Sequence, residues 1–376
     1  MSQPWILLVL ADMLLVVGIA VLGCLLIVLL AHLNPKLAGR AEDLEAKQKS
    51  HLRATPRTAG LGLFAAVGVG VLLVPDAVTE TYNQFLIAAF LLFAVGLLED
   101  LGIAMAPKWR LLAAAISSLI CIFLMDAWLP RAGIPFLNSI IDHWAVGVPL
   151  TILVTVGVAN GFNLIDGVNG LAALAGFAAA IGLSYIASKA NYHEVQYLGL
   201  MLAAAIVGFA ILNYPFGLIF LGDAGAYTLG FLLSWLGIAV LLNVPEATAW
   251  SLILLMFWPL ADTLLAIHRR RLRDADTLAP DRLHMHQLVM RGLELCCLGT
   301  DKRLLANSLT TVILAPFVMT PVIFGVLFWN QPTAAFLAVI VFLFLFFGTY
   351  RLGFVVVRRL RLRRPTLDRQ GQAVYA

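Results

Sequence analysis

Apolar stretches of about 17 to 27 residues recur from end to end of this chain, each near the length a helix needs to cross a bilayer core. In lipid every backbone N–H and C=O must be satisfied within its own segment, so runs of this length fold as helices. They fall near residues 5–31, 59–75, 83–98, 111–128, 147–162, 170–188, 196–212, 225–242, 249–267, 308–329 and 333–357, which reads as eleven transmembrane spans. No stretch remains for a separate soluble domain, so the expectation is an all-α integral membrane protein in which residues 1–376 form one polytopic domain. Composition agrees, because 61% of residues are hydrophobic and 12% charged, against roughly half and a quarter in soluble domains. The first run lacks a basic n-region and is too long for the h-region of a signal peptide, so it reads as a true span. Asp12 lies inside it and has no assigned role. No long internal repeat stands out, which weighs against a transporter built from inverted repeats.

Charge sets the orientation. With the N-terminus outside and the C-terminus in the cytoplasm, all but two of the 25 Lys and Arg (Arg131 and Lys189) fall on the inner side, the positive-inside signature. The inner loops then lie near 32–58, 99–110, 160–170, 213–224 and 268–306. The net charge of +4 therefore belongs to one face. A basic inner rim suits anionic membrane lipids and phosphorylated metabolites, although topology alone gives the same bias. Basic and aromatic residues do not interleave in any soluble segment, which excludes nucleic acid as a partner. The four cysteines form no CxxC and no outer-face pair, so neither a zinc site nor a disulfide framework is indicated.

Carboxylates, amides and histidines gather where the runs end on that inner side. Acid at a membrane boundary is costly unless it faces water, a metal or a partner. Phe220-Leu221-Gly222-Asp223 runs into an apolar helix. Asp223 is either an N-cap or, with phosphate oxygens, a Mg²⁺ ligand, since Mg²⁺ takes few protein ligands; Phe220 is placed to stack on a flat base. Asn213 precedes this stretch, in Asn213-Tyr214-Pro215. Glu99 and Asp100 are adjacent acids at a helix C-terminus, against the dipole, which points to a proton acceptor or a metal partner. In Asn160-Gly161-Phe162-Asn163-Leu164-Ile165-Asp166-Gly167-Val168-Asn169-Gly170, the spacing of three places Asn163, Asp166 and Asn169 on one side of a turn, beside glycines that admit a ligand. Arg57 follows Thr55-Pro56 before the second span and can meet phosphate. The last inner loop carries Arg269-Arg270-Arg271, Arg282, His284 and His286. Two histidines two apart do not share a helix face, so they read as donors to phosphate, with Arg270 and Arg282 among the arginines that clamp a diphosphate.

In order, these motifs are His51-x₃-Thr55-Pro56-Arg57, the acid pair, Asn-x-x-Asn-x-x-Asp-Gly-x-Asn-Gly, Phe-Leu-Gly-Asp-Ala-Gly and Pro280-Asp281-Arg282-x-His284-x-His286. The set resembles the polyprenyl-phosphate N-acetylhexosamine-1-phosphate transferases, most of all the bacterial undecaprenyl-phosphate GlcNAc-1-phosphate transferases, over residues 51 to 290. The resemblance implies a bacterial inner-membrane enzyme of eleven spans with its active site facing the cytoplasm. It implies that undecaprenyl phosphate attacks the β-phosphorus of a UDP-N-acetylhexosamine, releasing UMP, with Mg²⁺ as cofactor and Mn²⁺ as a substitute. Carried over by residue, Asp223 matches the metal ligand, Asp100, Glu99 and Asp166 the catalytic acids, Asn163 and Asn169 the nucleotide-side segment, Phe220 the stacking position, and His284 with His286 the histidine motif. O-antigen and other surface glycans are the pathways such an enzyme feeds, and a homodimer is compatible with it. Four positions depart from the family pattern: Glu99 for Asp, Asn169 for a second Asp, Ala226 for Ser, and Gln287 for a third His. These bear on the sugar more than on the reaction. The muramoyl-pentapeptide branch fits less well, because the eleventh span and the Pro-Asp-Arg-x-His pattern suit the GlcNAc branch. A transporter or lipid scramblase would place its ionisable groups near the midplane, not at one boundary.

Overall fold

Helix accounts for almost every residue of the computed structural model, which describes residues 3–33, 55–73, 76–272, 283–299, 301–362, 366–367 and 373–374. In chain order the helices are α1 (Gln3–Leu33), α2 (Ala59–Gly70), α3 (Asp76–Asp100), α4 (Pro107–Met125), α5 (Pro135–Asn138), α6 (Trp144–Ile165), α7 (Leu171–Lys189), α8 (His193–Asn213) and α9 (Gly222–Asn243). They continue with α10 (Ala249–Leu255), α11 (Phe257–Leu272), α12 (Met285–Leu293), a π-turn over Glu294–Leu298, α13 (Arg303–Leu327) and α14 (Pro332–Leu362). The only strands among the described residues pair Thr366–Leu367 with Ala373–Val374.

Nine of the described helices are long and apolar enough to cross a membrane, and ten crossings result if α10 and α11 together make one. Two of the expected spans look different. The run at 59–75 is the 12-residue α2, shorter than a crossing. The run at 249–267 is two helices that meet at 84°. Its break falls at Met256, which leaves the helical region (φ −110°, ψ 21°). Pro259 sits in the first turn of α11, where its missing N–H would have had no intrahelical partner anyway. Hydropathy runs unbroken through this bend, so composition carries no mark of it.

Helix α9 is the axis of the bundle, buried from Gly222 to Leu241 and packed by α2, α3, α6 and α7. Small residues let the backbones meet. A Cβ on Gly60 of α2 would lie 2.7 Å from the Gly225 Cα, so the α2–α9 crossing requires glycine on that face. The two ends of the bundle are tied differently. At one end Arg131 donates to the carbonyls of Leu241 (2.7 Å), Val244 (2.7 Å) and Ala247 (2.8 Å), which close the last turn of α9 and the loop after it. Asp12 also lies toward this end, accepting a hydrogen bond from the Tyr197 hydroxyl at 2.9 Å, so its place in the apolar α1 is explained by a partner on α8. The other end carries the acids and amides.

Candidate active site

The site is built around the first turn of α9, and Gly222 makes it possible. Its φ is +70°, and a Cβ there would sit 2.6 Å from an Asp100 carboxylate oxygen, so both conformation and space exclude a side chain. A strap of the chain, residues 55–60, runs beside it. Phe220 N–H donates to Pro56 O (2.9 Å), while Ala59 and Gly60 donate to the carbonyls of Phe220 and Leu221 at 3.0 Å each. This pairing holds Arg57 beside the turn, with its side chain exposed.

A helix N-terminus has N–H groups with no intrahelical acceptor and a positive dipole end. Here carboxylates from two other helix ends take those positions. Asp166 Oδ2 accepts from Gly222 N–H at 3.0 Å, while Asp100 accepts from Asp223 N–H through Oδ1 and from Ala224 N–H through Oδ2, both at 2.9 Å. Asp100 stands against the dipole of its own helix, α3, because it caps another. Of the acid pair, Asp100 braces α9, and Glu99 lies 3.4 Å from Arg110 Nη1. Asp166 caps the C-terminus of α6 and is buried. Burial pushes its carboxyl up to about 7, although Arg57 opposes that shift.

Asp223 does not cap α9; its side chain is gripped from two sides. Asn163 Nδ2 donates to Oδ1 at 2.7 Å, and Arg110 forms a short ion pair with Oδ2. Arg110 lies over the Tyr227 ring, 5.9 Å from its centroid, and the Tyr227 hydroxyl donates to Asn160 Oδ1 at 3.3 Å. Glu99, Asp100, Asp166 and Asp223 thus share one end of the bundle with Arg110 and Arg57. Among the described residues no three or more His, Cys, Asp or Glu form a ready cage for a metal ion. Mg²⁺ does not need one. It is held by one or two carboxylates with water and phosphate completing its shell, so this all-oxygen set with Asp223 at its centre fits that ion.

The structure does not bring every expected residue to this centre. The spacing of three is broken at Asp166, where α6 ends and the backbone leaves the helical region (φ −78°, ψ 39°). Asn169 therefore faces α13: its N–H donates to Asn307 Oδ1 (2.7 Å), its Nδ2 to Pro215 O (2.8 Å), and its carbonyl accepts from Thr311 (2.6 Å). Asn213 accepts from Gly170 N–H at 2.6 Å and donates to Ile219 O at 2.7 Å, pinning the α8–α9 connection. Both amides shape the walls of the site without reaching Asp223. Phe220 is only 6% exposed, so its ring offers a base little free face in this arrangement.

The histidines lie in and before the first turn of α12. His284 is its N-cap with extended backbone (φ −63°, ψ 152°), and His286 is already helical. Because only one of the two is in the helix, their rings meet after all, stacked at 5.6 Å and 11°. The ring of His286 faces the Asn163–Asn169 segment, where a Cβ on Gly167 would lie 3.5 Å from Nε2. Burial holds the His286 imidazole down to about 4, against the pull of Asp262, so it is neutral. Arg270 is half-buried in the last turn of α11, and Arg269 lies over Tyr350, 5.2 Å from the ring centroid. Arg282, like His51 and Asp281, lies outside the described residues.

Three residues outside the expected set hold this site together. Arg110 grips Asp223, and Asn307 fixes the 160–170 segment. Asp262 receives a hydrogen bond from His284 Nδ1 at 2.7 Å. A carboxylate inside an apolar run was the available signal for Asp262. Arg110 read as one more inner-face cation.

Comparison with known proteins adds an independent line. Residues 82–241 match the model of glycosyl transferase family 4, a stretch that contains Glu99, Asp100, Arg110, Asn163, Asp166 and Asp223. The chain is 33% identical over 262 residues to a probable undecaprenyl-phosphate N-acetylglucosaminyl 1-phosphate transferase of Bacillus subtilis, covering 66% of this chain and 70% of that protein. It is 25% identical to the decaprenyl-phosphate N-acetylglucosaminephosphotransferase of Mycolicibacterium smegmatis, covering 64% of this chain and 66% of that one. A phospho-N-acetylmuramoyl-pentapeptide-transferase of Latilactobacillus sakei is 26% identical across 54% of this chain and 67% of its own length.

Proposed function

The chain belongs to the polyprenyl-phosphate N-acetylhexosamine-1-phosphate transferases of glycosyl transferase family 4, and from that premise we propose that it transfers GlcNAc-1-phosphate from UDP-GlcNAc to undecaprenyl phosphate. UMP leaves, and the sugar-diphospho-lipid enters a surface glycan such as O-antigen. With the short α2 counted as a crossing, the enzyme sits in the bacterial inner membrane as one domain of eleven spans, N-terminus outside and C-terminus inside, with the site open to the cytoplasm.

The observation that carries this reading is the convergence of four carboxylates and Arg110 on the first turn of α9. Phosphoryl transfer needs in-line positioning and charge neutralisation more than covalent chemistry. Asp223, held by Asn163 and beside Glu99, is the residue that would hold Mg²⁺. Bound there, the ion supplies neutralisation of the diphosphate. Asp100 and Asp166 act on the protein itself: by fixing the Gly222–Ala224 backbone they fix the direction in which Asp223 points. Arg57, Arg270 and Arg282 are the cations we assign to the phosphates, with His286 as a donor on the same side and His284 stacked against it. The lipid phosphate is already an anion at pH 7, so the reaction does not require a general base.

The test is UMP release by detergent-purified protein supplied with undecaprenyl phosphate and a panel of UDP-sugars, first with Mg²⁺ and then with EDTA. The expected result is metal-dependent UMP from UDP-GlcNAc. UMP from UDP-MurNAc-pentapeptide or another UDP-N-acetylhexosamine instead would keep the chemistry and change the donor. Folded protein that neither releases UMP nor shifts its melting point with any donor would remove the transferase reading.

A further inference from the structure

A carboxylate in the interior of an apolar helix demands a reason, and Asp262 has no exposed surface at all. It stands in α11 and reaches out of that helix with both oxygens. Oδ2 accepts from His284 Nδ1 at 2.7 Å, and Oδ1 accepts from the Met285 N–H at 3.2 Å. Both partners belong to the segment that carries the histidine motif. Seating α12 does not require this pair, because Met285, Leu288 and Met290 already bury its apolar face. Nor is a buried ion pair an efficient source of stability, since its desolvation cost rivals its attraction and apolar side chains of like volume often do better. What a carboxylate on Nδ1 does well is fix an imidazole: it selects the tautomer with the proton on Nδ1 and locks the plane of the ring.

The locked ring is placed where such control matters. His284 stacks on His286, whose ring lies against Gly167 in the Asn163–Asn169 segment. His286 is 1% exposed and its Nδ1 has no hydrogen-bond partner among the described residues, an orphaned polar atom of the kind that a substrate or an ordered water satisfies. We propose that Asp262 is a positioning residue of the transferase: it holds the His284 ring as the Nδ1–H form and, through the stacked rings, aims His286 at the UDP-sugar diphosphate. This inference rests on the transferase reading for its ligand but not for its geometry.

Two measurements test it separately. The first is the ¹⁵N spectrum of histidine-labelled full-length protein in detergent, with the His284 signal assigned by its loss in His284→Gln. A protonated Nδ1 is expected, moving to a bare Nδ1 in Asp262→Asn, whose amide donates to the ring where the carboxylate accepted. A bare Nδ1 in the unsubstituted protein would overturn the proposal, whatever reaction the enzyme performs. The second is kinetics. Asp262→Asn is expected to lower kcat by about 10- to 100-fold, the usual cost of losing a residue that orients an active-site histidine. The KM for UDP-GlcNAc should move far less, and the double variant Asp262→Asn/His284→Gln should be no slower than His284→Gln alone. Losses that multiply, or a kcat equal to that of the unsubstituted protein, would show that Asp262 does not act through His284. Should Asp262→Asn fail to fold, the spectrum of the unsubstituted protein still decides. If that protein turns over no UDP-sugar, the spectrum again stands alone and only the ligand assignment falls.

Discussion

At the scale of single residues, the acid pair shows how a motif divides its labour. Glu99 and Asp100 are neighbours in sequence, yet one faces Arg110 and the other caps α9. Asp223→Asn is therefore expected to abolish turnover at a modest cost in melting point, because Asn keeps the hydrogen bond to Asn163 and Glu99 remains beside Arg110 to pair with it. Asp100→Asn should cost both. It weakens two charge-assisted bonds to backbone N–H, each worth about 1.5–3 kcal/mol, so activity and melting point fall together. Parallel UMP assays and thermal unfolding of the two variants check this, and an Asp100→Asn protein as stable as its parent would refute the capping role. Phe220 tells a related story. Stacking on a base is what its position in the family motif suggests, but it is nearly buried and its backbone holds the 55–60 strap. Phe220→Ala is expected to destabilise by about 3–5 kcal/mol, as buried aromatic truncations do. A higher KM for the UDP-sugar with an unchanged melting point would instead restore the stacking role.

Helices and their ends account for what the sequence could and could not announce. Long apolar runs declared the spans because hydropathy and length are local properties, and both survive folding unchanged. The ends of those spans depend on partners far along the chain. Asn163, Asp166 and Asn169 share a spacing, but α6 ends at Ile165, and the non-helical backbone from Asp166 on sends Asn169 to α13. The bend at Met256 and the short α12 were equally silent, since neither changes the composition of its stretch. Arg131 is the clearest case. It read as an exception to the charge rule, one of two cations on the outer side, whereas it binds three carbonyls at the far end of α9. Arg131→Ala is expected to lower stability by about 2 kcal/mol, the scale of lost bonds to a charged donor, with KM and kcat near those of the parent. Thermal unfolding beside a UMP assay reads both. Lost activity in a protein of normal stability would mean that the C-terminal anchorage of α9 reaches the site at its N-terminus.

For the whole molecule, the two ends of one helix define a sidedness, and charge gives it an expected direction. Every residue assigned to the site within the described chain lies at the end where α3, α6, α8 and α11 finish and α4, α7, α9 and α13 begin. Among the described residues, Arg57, Lys108, Arg110 and Arg269–Arg271 lie at that same end, and Arg131 and Lys189 at the other. Positive residues are retained on the cytoplasmic side, so the two asymmetries support the proposal that the site faces the compartment where nucleotide sugars are made. A UDP-sugar is a doubly charged solute that a bilayer excludes, because desolvating phosphate in hydrocarbon costs far more than thermal energy. Sealed vesicles therefore give a decisive arrangement. Inside-out vesicles carrying the protein should form UMP from UDP-GlcNAc added outside, whereas right-side-out vesicles should stay silent until detergent opens them. Latency in the opposite sense would reverse the topology and move the carboxylate cluster to the outer face. The basic rim would move with it, because both lie at the same end of the bundle, and the chain would then break the rule that keeps positive residues on the cytoplasmic side.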